Sequence, residues 1–261
     1  MSGTPDPHPL AGDAASVIQG ASRGVGLALV ERLLERGGAG PVFATCRRPP
    51  DADALRALAK AHPERLRVLA LDVTDERSIA AAASRVAARA PCVSLLVNCA
   101  GVLQDADGMR PERRLAEVDA GTFMRSVAIN ALGPLLVAKH FASLFPRRGR
   151  AVLATLSARV GSIGDNRLGG WYAYRAAKAA QNMVTRNLAI ELRRRHRDIV
   201  CVALHPGSVD TDLSKPFQAG IPAERLHTPA AAAAHLLAVI DGLGEDSNGH
   251  FYAWDGREIP W

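Results

Sequence analysis

Lysine is scarce in this chain. Its 261 residues hold only Lys60, Lys139, Lys178 and Lys215, although Lys and Arg together number 32. The positive charge is therefore carried by arginine, spread along the chain with short clusters at Arg47-Arg48, Arg147-Arg148 and Arg193-Arg194-Arg195. A nucleic-acid binder would add a reading motif to a basic stripe; none is present, so no nucleic-acid partner is expected. The formal net charge of +6 suits an anionic small ligand instead. Cysteine is scarce too. Cys46, Cys92, Cys99 and Cys201 show no CxxC spacing and lie in or beside apolar strand-like runs. That pattern excludes a disulfide framework, predicts no metal site, and reads as buried reduced thiols in a cytoplasmic protein. No uncharged apolar run approaches the ~20 residues that span a bilayer, so no membrane partner is expected. The first fourteen residues carry no Lys or Arg and no apolar core. They read as a flexible extension, residues 1–13, rather than a signal peptide.

What the chain does have is an alternation of short apolar runs and helical patterns. The runs 15–18, 41–46, 66–71, 93–97, 151–156, 199–204 and 249–254 predict seven strands. Between them, helical spacing covers 24–36, 53–61, 76–90, 120–144, 172–195 and 228–240. Gly37-Gly38 stops the first helix, and Thr228-Pro229 offers a cap and a proline at the first position of the last. Strands apolar on both faces and alternating with helices predict an α/β fold. The expectation is one doubly wound, mostly parallel Rossmann sheet of about seven strands over residues 14–261, with helices on both faces. In such sheets the strand ends face the ligand crevice, so the polar stretches 104–117 and 214–227 are expected to cover it.

Two stretches carry chemistry. In Trp171-Tyr-Ala-Tyr-Arg-Ala-Ala-Lys178 the helical spacing places Tyr174 and Lys178 one turn apart on one face. A lysine charge beside a phenol is expected to lower its pKa into the range of a general acid or base. The bland reading is a surface tyrosine and lysine. The second stretch is Gly20-Ala-Ser-Arg-Gly24-Val-Gly26, between the first strand and the first helix. Glycines there let the backbone turn tightly and let a pyrophosphate approach the helix N-terminus. The second strand ends in Arg47-Arg48, where an NAD site commonly has an acidic residue. Arg47, with Arg23 of the turn, is suited to a 2′-phosphate, so NADP(H) is favoured over NAD(H). The plain alternative is that these arginines are solvated loop charges.

Taken together, the chain resembles the short-chain dehydrogenase/reductase family. The resemblance rests on the glycine turn, Leu71-Asp-Val-Thr-Asp75, Asn98-Cys-Ala-Gly101, Asn130, Tyr174/Lys178 and His205-Pro-Gly-Ser-Val-Asp-Thr211, in the family's order across residues 15–215. Gly161-Ser-Ile-Gly-Asp-Asn-Arg-Leu-Gly-Gly-Trp-Tyr172 and the tail 251–261 are similar to the C-factor/sniffer-type carbonyl reductase branch.

The resemblance implies roles. Tyr174 protonates a carbonyl oxygen, Lys178 assists it and holds the nicotinamide ribose, and Asn130 holds a relay water. Gly20, Ser22, Arg23, Gly24, Val25 and Gly26 cradle the cofactor, and Asp72 and Val73 lie against adenine. Asn98, Ala100 and Gly101 line the adenosine ribose, while Pro206, Gly207, Val209 and Thr211 hold the nicotinamide amide. The substrate is a small carbonyl or alcohol. Two helices, 120–144 and 172–195, either pair across a two-fold into a dimer or tetramer or are covered within one subunit.

Two positions depart from the family pattern. Gln19 stands where a threonine usually opens the glycine motif. Counting back from Gly161 puts Ala158 in the place of the usual catalytic serine. Ser157 is the first choice for the substrate-polarising role and Ser162 the alternative; if neither reaches the carbonyl, Tyr174 acts alone. A dinucleotide-binding signalling protein of C-factor type with little turnover is the competing function.

Overall fold

The computed structural model describes residues 13–36, 40–105 and 108–261. The expected extension 1–13, apart from Asp13, and the helix stop at Gly37-Gly38 lie outside the described residues.

The strands are short and, apart from the edge strand Leu66–Ala70, buried along almost their whole length. They are β1 (Ala15–Gln19), β2 (Val42–Cys46), β3 (Leu66–Ala70), β4 (Val93–Asn98), β5 (Ala151–Leu156) and β6 (Ile199–His205). A small pair, β7 (Ser208–Val209) and β8 (Leu226–His227), stands apart, and β9 (Phe251–Ala253) completes the main sheet. That sheet is parallel throughout, in the order β3-β2-β1-β4-β5-β6-β9. Side chains alternate across it as strand pleating requires. Ile18, Val97, Ala154 and Val202 join one apolar core, whereas Val17, Leu96, Leu153 and Cys201 join the other. The first core is closed by α1 (Gly24–Glu35), α2 (Asp53–Ala61) and α7 (Pro229–Gly242). The second is closed by α3 (Glu76–Ala87), α5 (Gly133–Phe141) and α6 (Tyr172–Leu192). This is the doubly wound arrangement the apolar runs predict. Burying each such Leu or Ile contributes about 1.5–3 kcal/mol. The strand order reverses between β1 and β4, and the crevice for a ligand opens at the carboxyl ends of those two strands.

The expected continuous helix 120–144 is not continuous. It consists of α4 (Ala120–Val127), a π turn (Ala128–Leu132), α5, and a final 3₁₀ turn (Ala142–Leu144). Pro134 is the cause the sequence offers: it has no N–H to donate to the Asn130 carbonyl four residues back. The ladder resets through a wider bond from Gly133 N to Ala128 O. This stretch, Ala120–Leu144, is long and apolar enough to cross a membrane by composition, and here it packs against α3 and α6. Local caps start the neighbouring helices. Asp75 accepts from Arg77 N, Asp119 from Thr122 N, and Thr228 from Ala231 N with Pro229 behind it.

All four cysteines are free, with Cys46 and Cys201 buried and Cys92 and Cys99 half-buried. The tail turns back beside β9: Ile259 N donates to Phe251 O, and Trp261 stacks on Phe251.

Candidate active site

The glycine turn is built by contacts that allow no side chain. Gly20 has φ +83°, and a Cβ there would lie 2.5 Å from Ala100 N. A Cβ on Gly26 would lie 2.3 Å from Gly20 O. The turn thus folds onto itself and onto the end of β4. Gln19, the departure from the usual threonine, is buried, and its Oε1 accepts from Ala100 N at 3.2 Å. It ties the ends of β1 and β4 together, on either side of the crevice. A Cβ on Gly24 (φ +58°) would lie 3.3 Å from Thr211 Cγ2, so the loop after β6 closes against the same turn. A cradle that any Cβ would fill, at the start of α1 and at the switch in strand order, fits a pyrophosphate.

At the far end, Ser22, Arg23 and Arg47 are exposed. Arg23 pairs with Asp212 at 3.0 Å across the mouth of the cleft, and Arg48 pairs with Asp51 at 2.9 Å. Arg47 has no ion-pair partner among the described residues. Asp72 is fixed by Thr74, whose N and Oγ1 both donate to its Oδ1. Val73 is buried against Gly133, where a Cβ would sit 2.8 Å from that of Val73.

The candidate catalytic residues come together where β4, β5, the π turn and α6 meet. A Cβ on Gly101 would be 3.0 Å from Asn130 Oδ1 and 3.8 Å from Lys178 Nζ. Asn130 is fully buried. It accepts from Val102 N at 3.0 Å and donates to Val102 O at 2.9 Å and to Ser126 Oγ at 3.2 Å. Its side chain is thus spent on the β4 end, and its carbonyl has no N–H donor at Pro134. Lys178 is buried and donates to Leu156 O at 2.7 Å and Gln181 Oε1 at 2.8 Å. Its Nζ stands 5.8 Å from the centre of the Tyr174 ring.

The expected lowering of the Tyr174 pKa by Lys178 is not what this geometry gives. Both groups are buried, so desolvation penalises the charged form of each. Burial pushes the Tyr174 phenol up, and pushes Lys178 down to about 7. Tyr174 therefore holds its proton at neutral pH, the state a proton donor needs. Cys99, beside Lys178, is also pushed up by burial.

Neither serine stands ready. Ser157 is buried and donates to Asn182 Oδ1 on α6 at 2.7 Å. Ser162 donates to the carbonyls of Pro260 and Trp261 and anchors the tail. Ala158 begins the 3₁₀ turn Arg159–Gly161 in an extended conformation.

Gly207 has φ +80°, and His227 and Trp254 fill the place of its Cβ, so the Pro206–Thr211 segment is held rigidly with Val209 buried. Over the crevice, Trp171 packs 5.1 Å from Phe217 and 6.3 Å from Tyr174, ring to ring. Sequence reasoning missed Glu112, Gln181 and Asn182. The last two stand three and four residues after Lys178, a spacing that places them on its face of the helix; Glu112 left no such signal.

Comparisons with known proteins agree with the geometry. The chain is 32% identical over 246 residues to a 1-hydroxy-2-glutathionyl-2-methyl-3-butene dehydrogenase of a Rhodococcus species, covering 94% of this chain and 98% of that protein. It is 37% identical over 169 residues to the C-signal protein of Myxococcus xanthus, covering 65% of this chain and 93% of that one. Its fold superposes on an NADPH-bound carbonyl reductase from chicken fatty liver with a TM-score of 0.85 at 32% identity, over 97% of this chain and 100% of that one. Residues 14–221 match the short chain dehydrogenase model. With the glycine cradle, the Tyr174/Lys178 pair and these likenesses on one sheet, the chain belongs to the short-chain dehydrogenase/reductase family, among its carbonyl reductase and C-factor relatives.

Proposed function

We propose that this protein reduces an aldehyde or ketone carbonyl to an alcohol with NADPH, and that Tyr174 gives its phenolic proton to the carbonyl oxygen. The observation that carries the reading is the buried Tyr174, its phenol pushed up by burial, one turn from Lys178 and at the end of a crevice whose other end is a glycine cradle. The nicotinamide, when bound, supplies the hydride. Gly20, Ser22, Gly24, Val25 and Gly26 hold the pyrophosphate, Arg23 and Arg47 the 2′-phosphate, and Asp72 and Val73 the adenine. Asn98, Ala100 and Gly101 line the ribose. Pro206, Gly207, Val209 and Thr211 orient the nicotinamide amide.

Lys178 bonds the second ribose and resupplies the proton through a water at the Asn130 carbonyl, which Pro134 deprives of its usual donor four residues on. The hydroxyls of Ser157 and Ser162 are both committed elsewhere, so this reading gives the carbonyl contact to Tyr174 alone. The test is Tyr174→Phe, assayed with NADPH against a panel of aldehydes, ketones and quinones. A fall in kcat of roughly 10²–10⁴ is expected, the usual worth of a placed acid, with NADPH affinity unchanged. The reading fails if the unmutated protein reduces no member of the panel.

The likeness to C-signal favours a second reading, a dinucleotide-binding signalling protein. It predicts NADPH binding without Tyr174-dependent turnover.

A further inference from the structure

The catalytic helix α6 begins without a cap of its own. Its N-cap residue is Trp171, which has no side-chain acceptor for the exposed N–H groups and no capping bond. Trp171 also sits in the left-handed region at φ 51°, the one non-glycine residue to do so among the described residues. A bulky side chain keeps that conformation only when its surroundings impose it.

Glu112 meets this helix start from 61 positions before Ala173. The residue is 4% exposed, its two carboxylate oxygens each lie 3.3 Å from Ala173 N, and its carbonyl accepts from Trp171 N at 2.6 Å. Among the described residues no lysine or arginine pairs with the carboxylate. What it faces is the positive end of a 21-residue helix. The carbonyl of the same residue is held as well. Ala173 O accepts from Ser126 Oγ at 3.3 Å, and Ser126 Oγ accepts from Asn130 Nδ2 at 3.2 Å. The residue before Tyr174 is thus clamped on its N–H by Glu112 and on its carbonyl by the Asn130 network. The same clamp aims the Trp171 indole at Tyr174 and at Phe217.

We propose that Glu112 is a positioning residue for the reaction: a cap borrowed from the loop after β4 that holds Trp171 left-handed and thereby sets the place of the Tyr174 phenol. This rests on the reading of Tyr174 as proton donor. It makes Glu112 act on turnover rather than on cofactor binding, because the glycine cradle lies at the far end of the crevice.

The test uses Glu112→Ala and Glu112→Gln in the full chain, with the carbonyl that the unmutated protein reduces fastest. Glu112→Ala is expected to lower kcat by about 10- to 100-fold while NADPH affinity stays within about threefold. Glu112→Gln keeps an acceptor oxygen in the same place and is expected to recover most of that loss. In a Trp171→Gly background, where no side chain resists the left-handed conformation, the effect of Glu112→Ala should shrink to less than about threefold.

A readout independent of turnover comes from Trp254→Phe/Trp261→Phe, in which Trp171 alone emits. There Glu112→Ala should shift the emission to the red and Glu112→Gln should not. Unchanged kcat and unchanged emission in both Glu112 variants overturn the proposal while leaving the role of Tyr174 standing. Full turnover by Tyr174→Phe overturns both. If Glu112→Ala does not fold, Glu112→Asp, whose shorter side chain draws the carboxylate back from Ala173 N, decides in its place: a fall in kcat with a red-shifted emission at unchanged cofactor affinity supports the proposal, and unchanged kcat, or a fall in kcat and affinity together, overturns it.

Discussion

Ser157 Oγ donates to Asn182 Oδ1 at 2.7 Å, deep under α6 and in line with Lys178 four residues earlier. That bond gives the hydroxyl a structural partner. A serine that polarised the substrate would be worth about 10²–10³ in rate. Ser157→Ala is expected to cost less than about tenfold in kcat. It should still destabilise the fold by about 1–3 kcal/mol, because Asn182 loses its donor in a buried place. The converse change, Ala158→Ser, puts a hydroxyl where the family pattern has one and is expected to raise kcat tenfold or more. Steady-state rates and thermal melts of the two variants check both. A collapse of kcat in Ser157→Ala at unchanged stability would return the polarising role to Ser157.

Gly26→Ala tests the cradle. The added methyl would stand 2.3 Å from Gly20 O, and neither backbone can withdraw without opening the turn. Overpacking of this kind costs about 1–3 kcal/mol, which lowers Tm by roughly 2–12 °C in a chain of this size. NADPH affinity should be lost with it. Gly242→Ala is the control. It closes α7, has no neighbour within 4 Å of the new Cβ and no left-handed backbone, so its Tm should hold or rise.

The seven strands of the main sheet were legible because each is a short apolar run bounded by polar turns, and both faces of the sheet are covered. The cradle was legible for the same local reason: Gly20, Gly24 and Gly26 are spaced for one turn. What the sequence hid depends on contacts between distant segments. Glu112 is an ordinary surface-loop glutamate until the fold brings Ala173 to it. Ser157 looked available because nothing near it in sequence predicts Asn182 as its partner. Pro134 was in plain view, but the helical period on both sides of it masked the π turn that presents Asn130. The pKa of Tyr174 was misjudged in sign because spacing reveals the neighbouring charge and not the burial.

Arg23 and Arg47 set the cofactor preference in this reading. The ion pair of Arg23 with Asp212 is largely exposed on both sides, so it contributes little and yields to a phosphate. A charge-assisted bond to the 2′-phosphate is worth about 1.5–3 kcal/mol. Arg23→Ala or Arg47→Ala should therefore weaken NADPH binding by about 10- to 100-fold and leave NADH binding within about twofold. Separate fluorescence titrations with the two cofactors measure this. Equal weakening of both would make the arginines general cleft charges and remove the argument for NADP(H).

His205, at the end of β6, is expected to make the protein acid-sensitive. Its Nδ1 is sealed from solvent without a hydrogen-bond partner, and burial first, then Arg159 and His227, push its pKa down to about 4. In the unfolded chain the same ring titrates near ~6.5. Between those values the unfolded state binds the proton and the folded state does not, so stability rises with pH through this window and is lost as pH falls from 6.5 toward 4. Going from about pH 7 to about pH 5 should cost about 2 kcal/mol from this residue, or roughly 4–8 °C in Tm. His205→Gln carries no titrating ring and should lose correspondingly less over the same interval. Thermal melts of both proteins at the two pH values decide it: parallel losses would place the acid sensitivity elsewhere.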